Sequence, residues 1–307
     1  MFLNKLTTGL LGATVALAGL LSGAFAQDRK IGKPTDGSIQ FQDAATDLAT
    51  EAHWFHNELL MPIIVAISLF VLVLLVIVVF KFREKKNPVP SKTTHNTVLE
   101  VIWTAVPILI LGVIGYPSFQ LLYLQDTIPD TELVIRATGN QWNWTYDYPD
   151  NGNINFTAVL IPDDVYKDAS AQQEYETALT NFLGFETKLH GGRLLDTDLR
   201  LVVPVDTKVE LQITASDVLH AWTVPSFGVK VDAVPGRMNR LWFKVNEVGT
   251  YYGQCSELCG KDHAFMPIAV EVVTKEEFAA WVERAKAEYA DAGTVYYASA
   301  AVAALDS

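Results

Sequence analysis

Hydrophobic and polar positions divide this chain into three apolar runs and then a long stretch in which apolar and polar residues alternate. The first run, 10–21, is short; Lys5 precedes it, and Ala24-Phe25-Ala26 and the polar residues Gln27, Asp28, Arg29 and Lys30 follow. A basic start, a brief apolar core and an A-x-A site predict a secretory signal peptide over 1–26. A retained membrane anchor is the alternative, which the polar residues beyond Ala26 disfavour. The second run, 59–80, has no charge between Glu58 and Lys81. At about 1.5 Å per residue it is long enough to cross roughly 30 Å of hydrocarbon. The third, 98–124, is uncharged from Val101 onward and contains Pro107 and Pro117. Neighbouring helices can satisfy the backbone groups those prolines free. Both long runs are predicted to be transmembrane helices.

The loop between them, 81–97, carries Lys81, Arg83, Lys85, Lys86 and Lys92 against the single acid Glu84. Such a bias marks the cytoplasmic side. The segment 27–58 and everything beyond 124 then lie outside the cytoplasm, which agrees with an exported N-terminus. The chain is expected to sit in a bacterial inner membrane, with its N-terminus and C-terminal domain in the periplasm.

From 125 to 290 the pattern changes. Runs at 133–148, 200–215, 221–227, 240–255 and 267–273 are β-rich and separated by Gly, Pro and Asp turns. Short strands at this spacing predict an antiparallel sandwich or barrel. Helical periodicity is confined to 169–185 and 275–288, where Phe278, Trp281, Val282 and Ala285 share one face. The tail 291–307 is made of small residues and is expected to lack order.

Composition adds two constraints. The formal net charge is −12, which argues against nucleic acid and favours a basic partner. There are two cysteines, Cys255 and Cys259, too few for a disulfide scaffold.

Those cysteines lie in the segment that carries the chemistry. Cys255, Cys259, His263 and Met266 fall within a dozen residues in C-S-E-L-C-G-K-D-H-A-F-M-P, and His220 lies in D-V-L-H-A-W. Soft sulfur with imidazole is a copper ligand set. A Cys255–Cys259 disulfide would close a tiny loop and leave His263 and Met266 unexplained. A structural zinc site has no use for a thioether, and a haem attachment needs C-x-x-C-H. A single blue copper needs one cysteine, not two.

Taken together, C-S-E-L-C-G-x-x-H-x-x-M-P and D-V-L-H-A-W resemble the two-copper site of the cytochrome c oxidase subunit II family. The resemblance covers nearly the whole chain: signal peptide, two-helix hairpin, aromatic segment, then a cupredoxin-like Greek-key domain over 125–290. It implies that Cys255 and Cys259 bridge two coppers, with His220 and His263 binding one each. Met266 and the Glu257 carbonyl are implied as weak ligands, and the Glu257 side chain as a ligand to magnesium at the subunit I interface. A carboxylate suits magnesium better than it suits copper.

The segment G-N-Q-W-N-W-T-Y, 139–146, resembles the family's aromatic patch, which makes Trp142 the residue that first accepts the electron. Asn140 and Asn143 stand where the family often has His and an aromatic. Glu100, at the cytoplasmic start of the second span, is either the N3 partner in a capping box with Thr97 as N-cap or a proton-uptake carboxylate. Implied partners are subunit I, the other oxidase subunits, the membrane and a basic cytochrome c docking on acids that include Asp147, Asp198 and Asp217. Oxygen chemistry belongs to subunit I. Quinol oxidase subunit II lacks these copper ligands, and nitrous oxide reductase lacks the membrane hairpin. A membrane-anchored copper-delivery protein is the competing function. The stretch 163–196 is longer than the resemblance leads one to expect.

Overall fold

A computed structural model describes residues 32–89 and 91–290. The expected signal peptide 1–26 and tail 291–307 lie outside the described residues. Helix α1 spans Asp47–Lys81 and α2 spans Thr97–Asp126; both are long and apolar enough to cross a membrane. Their apolar faces are exposed, for example Leu69, Phe70, Val79 and Leu109, as suits helices whose solvent is lipid or other subunits.

Helix α1 begins well before the apolar run 59–80. Its N-cap is Thr46, whose side chain accepts from the Ala49 N–H at 3.0 Å. Within it, Phe55–Leu60 forms a π-helical turn. The start of α2 corrects one expectation. The N-cap is Asn96, whose side chain accepts from the Leu99 N–H at 3.2 Å. Thr97 is therefore the first helical residue, and Glu100 sits one position past N3. Of the two alternatives for Glu100, the capping box with Thr97 is therefore not formed.

The remainder is a β-sandwich. One sheet has the order β3-β2-β1-β5-β8. Its strands are β1 (Leu133–Asn140), β2 (Asn143–Tyr148), β3 (Ile154–Ala158), β5 (Val209–Ala215) and β8 (Asn239–Phe243). A second, β4-β10-β9, comprises Leu201–Pro204, Pro267–Val273 and Gly249–Gln254. Strands β6 (His220–Val224) and β7 (Val229–Ala233) form a two-stranded ribbon. The sheets are mixed, not antiparallel throughout: β1 pairs with β5 and β10 with β4 in parallel. Those partners are far apart in sequence, so no tight turn forces them to run opposite ways.

Burial alternates cleanly along β1 and β2, as strands with one face on the core require. The core between the sheets holds Trp144, Tyr146, Tyr148, Phe156, Trp222 and Tyr251. Helix α3 (Ala169–Leu183) is capped by Asp168 and ends at Gly184 in the left-handed conformation. Helix α4 (Lys275–Tyr289) opens with a capping box formed by Thr274 and Glu277. Its Trp281 packs on Tyr148 and Phe182, with ring centroids 5.0 and 5.8 Å away.

The sandwich is joined to the membrane helices at defined points. Trp242 Nε1 donates to the Leu124 carbonyl at 3.2 Å, and the Thr46 hydroxyl donates to the Phe227 carbonyl at 2.8 Å.

Candidate metal centre

Strands β9 and β10 pair with Gln254 opposite Pro267, so the intervening loop projects from the end of the sandwich. Its two ends meet: the Cys255 N–H donates to the Met266 carbonyl at 3.4 Å. The Ser256 N–H donates to the Ala221 carbonyl at 3.0 Å, which ties the loop to the ribbon strand that begins with His220. At the loop's tip Gly260 has φ +123°, a conformation side chains rarely adopt. A Cβ there would also approach Gln141 Nε2 and the Trp142 ring at 3.1 Å.

The loop gathers the expected donors. Cys255 Sγ and Cys259 Sγ lie 3.8 Å apart, both free. A disulfide would need about 2.05 Å. His220 Nδ1 is 3.9 Å from Cys255 Sγ, and His263 Nδ1 is 3.5 Å from Cys259 Sγ. Met266 Sδ is 3.4 Å from Cys259 Sγ, and the Glu257 carbonyl oxygen is 3.3 Å from Cys255 Sγ. The ligand atoms of His220, Cys255 and Cys259 all lie within 4.8 Å of one another. His220, Cys255, Cys259 and Met266 are buried. Buried thiols, imidazoles and a thioether facing one space are the donor set that soft copper prefers, so these residues fit a copper centre.

The two thiols differ electrostatically. Burial pushes Cys255 up, but its contacts with His220, the Glu257 and Ala221 backbone and Cys259 outweigh that and bring it down to about 6. Burial and the neighbouring Cys255 push Cys259 up to about 12. One thiolate forms readily and opposes the second. A bound metal cation would supply the positive charge that holds both ionised.

A carboxylate stands behind the imidazole. His220 Nε2 lies 2.9 Å from Asp217 Oδ1, an arrangement that fixes the ring and leaves Nδ1 facing the sulfurs. Asp217 also accepts from the N–H groups of Val218 at 2.6 Å and Gln141 at 2.7 Å. Burial opposes its ionisation, yet these bonds, His220 foremost, hold its carboxyl below the usual range.

Trp142 sits in the β1–β2 turn beside the loop. Its Nε1 donates to the Cys259 carbonyl at 3.2 Å, and Gln141 Nε2 donates to the same oxygen at 2.8 Å. Lys261 Nζ lies 5.4 Å from the Trp142 ring centroid. Asn140 and Asn143, the two departures from the family pattern, bond to each other at 2.9 Å. Asn140 also accepts from the Ser216 hydroxyl at 2.7 Å. Sequence reasoning did not single out Gln141, nor the contact between Asp217 and His220. The i, i+3 spacing of Asp217 and His220 was the available signal.

Not every expected residue gathers here. Glu100 lies on the first turn of α2, away from the sulfur cluster. Asp198 is 1 % exposed, which corrects its assignment to a docking face. Its carboxylate accepts from the N–H groups of Val159 and Leu199, both at 2.8 Å. Asp147 is half-buried and bonded to Asn155.

Comparison with known proteins gives a consistent result. The family described as "Cytochrome C oxidase subunit II, periplasmic domain" matches residues 133–273, and "Cytochrome C oxidase subunit II, transmembrane domain" matches 34–121. Cytochrome c oxidase subunit 2 of Cereibacter sphaeroides is 43% identical over 286 residues, 91% of this chain and 92% of that protein. A probable cytochrome c oxidase subunit 2 of Rickettsia felis is 46% identical over 250 residues, 81% of this chain and 72% of that one. The crystal structure of the periplasmic domain of cytochrome oxidase subunit II of Bradyrhizobium japonicum shares 45% identity. It covers 53% of this chain and 99% of its own, with a TM-score of 0.43.

Proposed function

The chain belongs to the cytochrome c oxidase subunit II family, and on that premise we propose that it is the oxidase subunit that takes electrons from a cytochrome c outside a bacterial inner membrane. They would enter at a binuclear copper centre and pass to the haem and copper centres of subunit I, where oxygen is reduced and protons are pumped. The observation that carries this reading is the 3.8 Å separation of two free, buried thiols, flanked by two imidazoles and a thioether.

Cys255 and Cys259 are the bridging thiolates, His220 and His263 the nitrogen ligands. Met266 and the Glu257 carbonyl would be weaker ligands. Two coppers held by this set would supply one-electron transfer. The Glu257 backbone carbonyl faces the sulfur, and its side chain would supply a hard carboxylate to a magnesium ion at the subunit I boundary. Trp142 accepts the electron from the donor and is held by its hydrogen bond on a thiolate residue's backbone. Glu100, relieved of a capping role, is the proton-uptake carboxylate at the cytoplasmic end of α2. Asp217 and Asp147 belong to the face that meets basic cytochrome c.

Metal analysis with EPR on the purified oxidase tests this assignment. Two coppers per chain and one shared spin are expected, with the signal abolished in Cys255→Ser. Met266→Leu should keep both coppers and change the redox potential, since a weak axial ligand tunes more than it holds. One copper per chain would overturn the assignment.

A further inference from the structure

The segment 163–196 packs on strand β9, immediately before Cys255. Two residues of one β9 face, Tyr252 and Gln254, are engaged by that segment; alternate residues of a strand share a face. Thr250, on the same face, donates its hydroxyl to Glu271 Oε2 of the paired strand β10 at 2.9 Å. The Tyr252 hydroxyl donates to Asp196 Oδ1 at 3.0 Å, and Gln254 Nε2 donates to the Leu194 carbonyl at 2.9 Å.

Behind these bonds lies a fully buried ionic core. Arg200 and Asp196 are both 0 % exposed. Arg200 Nη1 donates to Glu271 at 2.8 Å, and its Nη2 donates to the Lys188 carbonyl at 2.9 Å. Asp196 also accepts from Gly191 N–H at 3.0 Å, Gly192 N–H at 2.7 Å and the Tyr166 hydroxyl at 3.1 Å. A Cβ on Gly191 would come within 2.6 Å of the Tyr252 ring, so the turn wraps closely on that side chain. Leu194, which presents its carbonyl to Gln254, has φ +67°. A branched side chain holds that conformation only where its surroundings over-determine it.

The opposite face of β9 is pressed against the ribbon strand that carries His220. A Cβ on Gly253 would lie 1.8 Å from the Thr223 carbonyl oxygen, so only glycine allows this approach. Strand β9 is thereby held between a polar clasp on one face and β6 on the other. Cys255 follows on one strand and His220 opens the other.

We propose that the 163–196 segment is a positioning clasp, acting through Asp196 and the Leu194 carbonyl on β9 to set the separation of Cys255 from His220. The segment contributes Asp196 to the buried ionic core and a carbonyl from left-handed Leu194, and both bond β9 residues that lead into the copper loop. The inference rests on the copper reading above, and its test separates the two.

The test uses the assembled oxidase carrying Gln254→Ala, which trims one half-exposed side chain, and separately Asp196→Asn. Thr177→Ala, on the outer face of α3, is the control. Both clasp variants should retain two coppers and show an altered copper EPR hyperfine pattern and a shifted midpoint potential. Copper loss to a chelator should be about tenfold faster, as is usual when ligand-orienting groups are removed. The control should match the unmodified protein. A wild-type spectrum, potential and release rate in both variants, with only thermal stability lowered, would overturn the clasp. Should the unmodified chain hold fewer than two coppers, the copper reading fails by itself. Amide hydrogen exchange of 249–254 in metal-free protein then decides: faster exchange in the clasp variants supports the clasp, and unchanged exchange overturns it.

Discussion

Trp142 and Cys259 are joined by a hydrogen bond of 3.2 Å from the indole Nε1 to the backbone carbonyl. The aromatic ring is thus tied to the backbone of a candidate thiolate ligand, and Gln141 shares the same acceptor at 2.8 Å. An electron placed on the indole would have a short bonded route to the sulfur. Trp142→Gln should slow electron transfer from reduced cytochrome c while leaving binding nearly unchanged. Stopped-flow oxidation of the donor checks this; a wild-type rate would place the accepting residue elsewhere.

Asp217 has two tasks, which two measurements on one substitution tell apart. It orients His220, and it offers a partly exposed carboxylate beside the turn. Asp217→Asn should weaken copper retention by roughly tenfold, because the amide oxygen can still accept from His220 but lacks the carboxylate charge that strengthens the ligand-orienting contact. It should also slow association with cytochrome c and flatten the dependence of that rate on salt. Chelator competition reads the first effect and a salt series the second. Asp198→Asn should leave the salt series unchanged, because that carboxylate is buried.

The start of α2 separates capping from proton uptake. Asn96→Ala removes the N-cap and should cost about 1 kcal/mol of helix stability. Glu100→Gln should leave stability alone and lower turnover of the assembled oxidase. Unchanged turnover in Glu100→Gln would end the proton-uptake assignment.

Packing under α4 sets a larger cost. Trp281 is 1 % exposed and packs in tilted and edge-on contacts among Tyr148, Phe182 and Phe278. Trp281→Ala should destabilise the domain by about 3–5 kcal/mol, read as a lower urea midpoint.

Acid stability has an identifiable contributor. Arg240 Nε and Nη2 contact Glu210 at 2.6 and 2.8 Å, and these bonds hold the Glu210 carboxyl below its usual value of 4.5 against a smaller opposing effect of burial. A depressed folded value means the contribution is complete above pH about 4.5 and fades as pH falls through the folded value. The stability difference between the unmodified chain and Glu210→Gln should therefore be constant near neutrality and shrink below pH about 4. A difference that does not change on acidification would exclude the pair as its source.

The apolar runs, the β alternation and the ligand spacing were legible in the sequence because each is local. Uncharged stretches as long as 59–80 have few soluble alternatives, alternation over 133–148 reports a half-buried strand, and Cys255, Cys259, His263 and Met266 share one short loop. Distant contacts were not legible. Nothing near Asp198 in sequence shows that it turns inward to Val159, nor that Asp196 reaches Tyr252, since both depend on how β4 and β9 are placed on β10. The parallel pairing of β1 with β5 likewise follows from closing the sandwich, not from any turn. Residue types and short spacings therefore pointed to the candidate ligands. The tertiary fold decided which carboxylates face solvent, which imidazole nitrogen faces sulfur and what presses on the copper strand, because burial and hydrogen-bond partners are set by chain segments that meet only once folded.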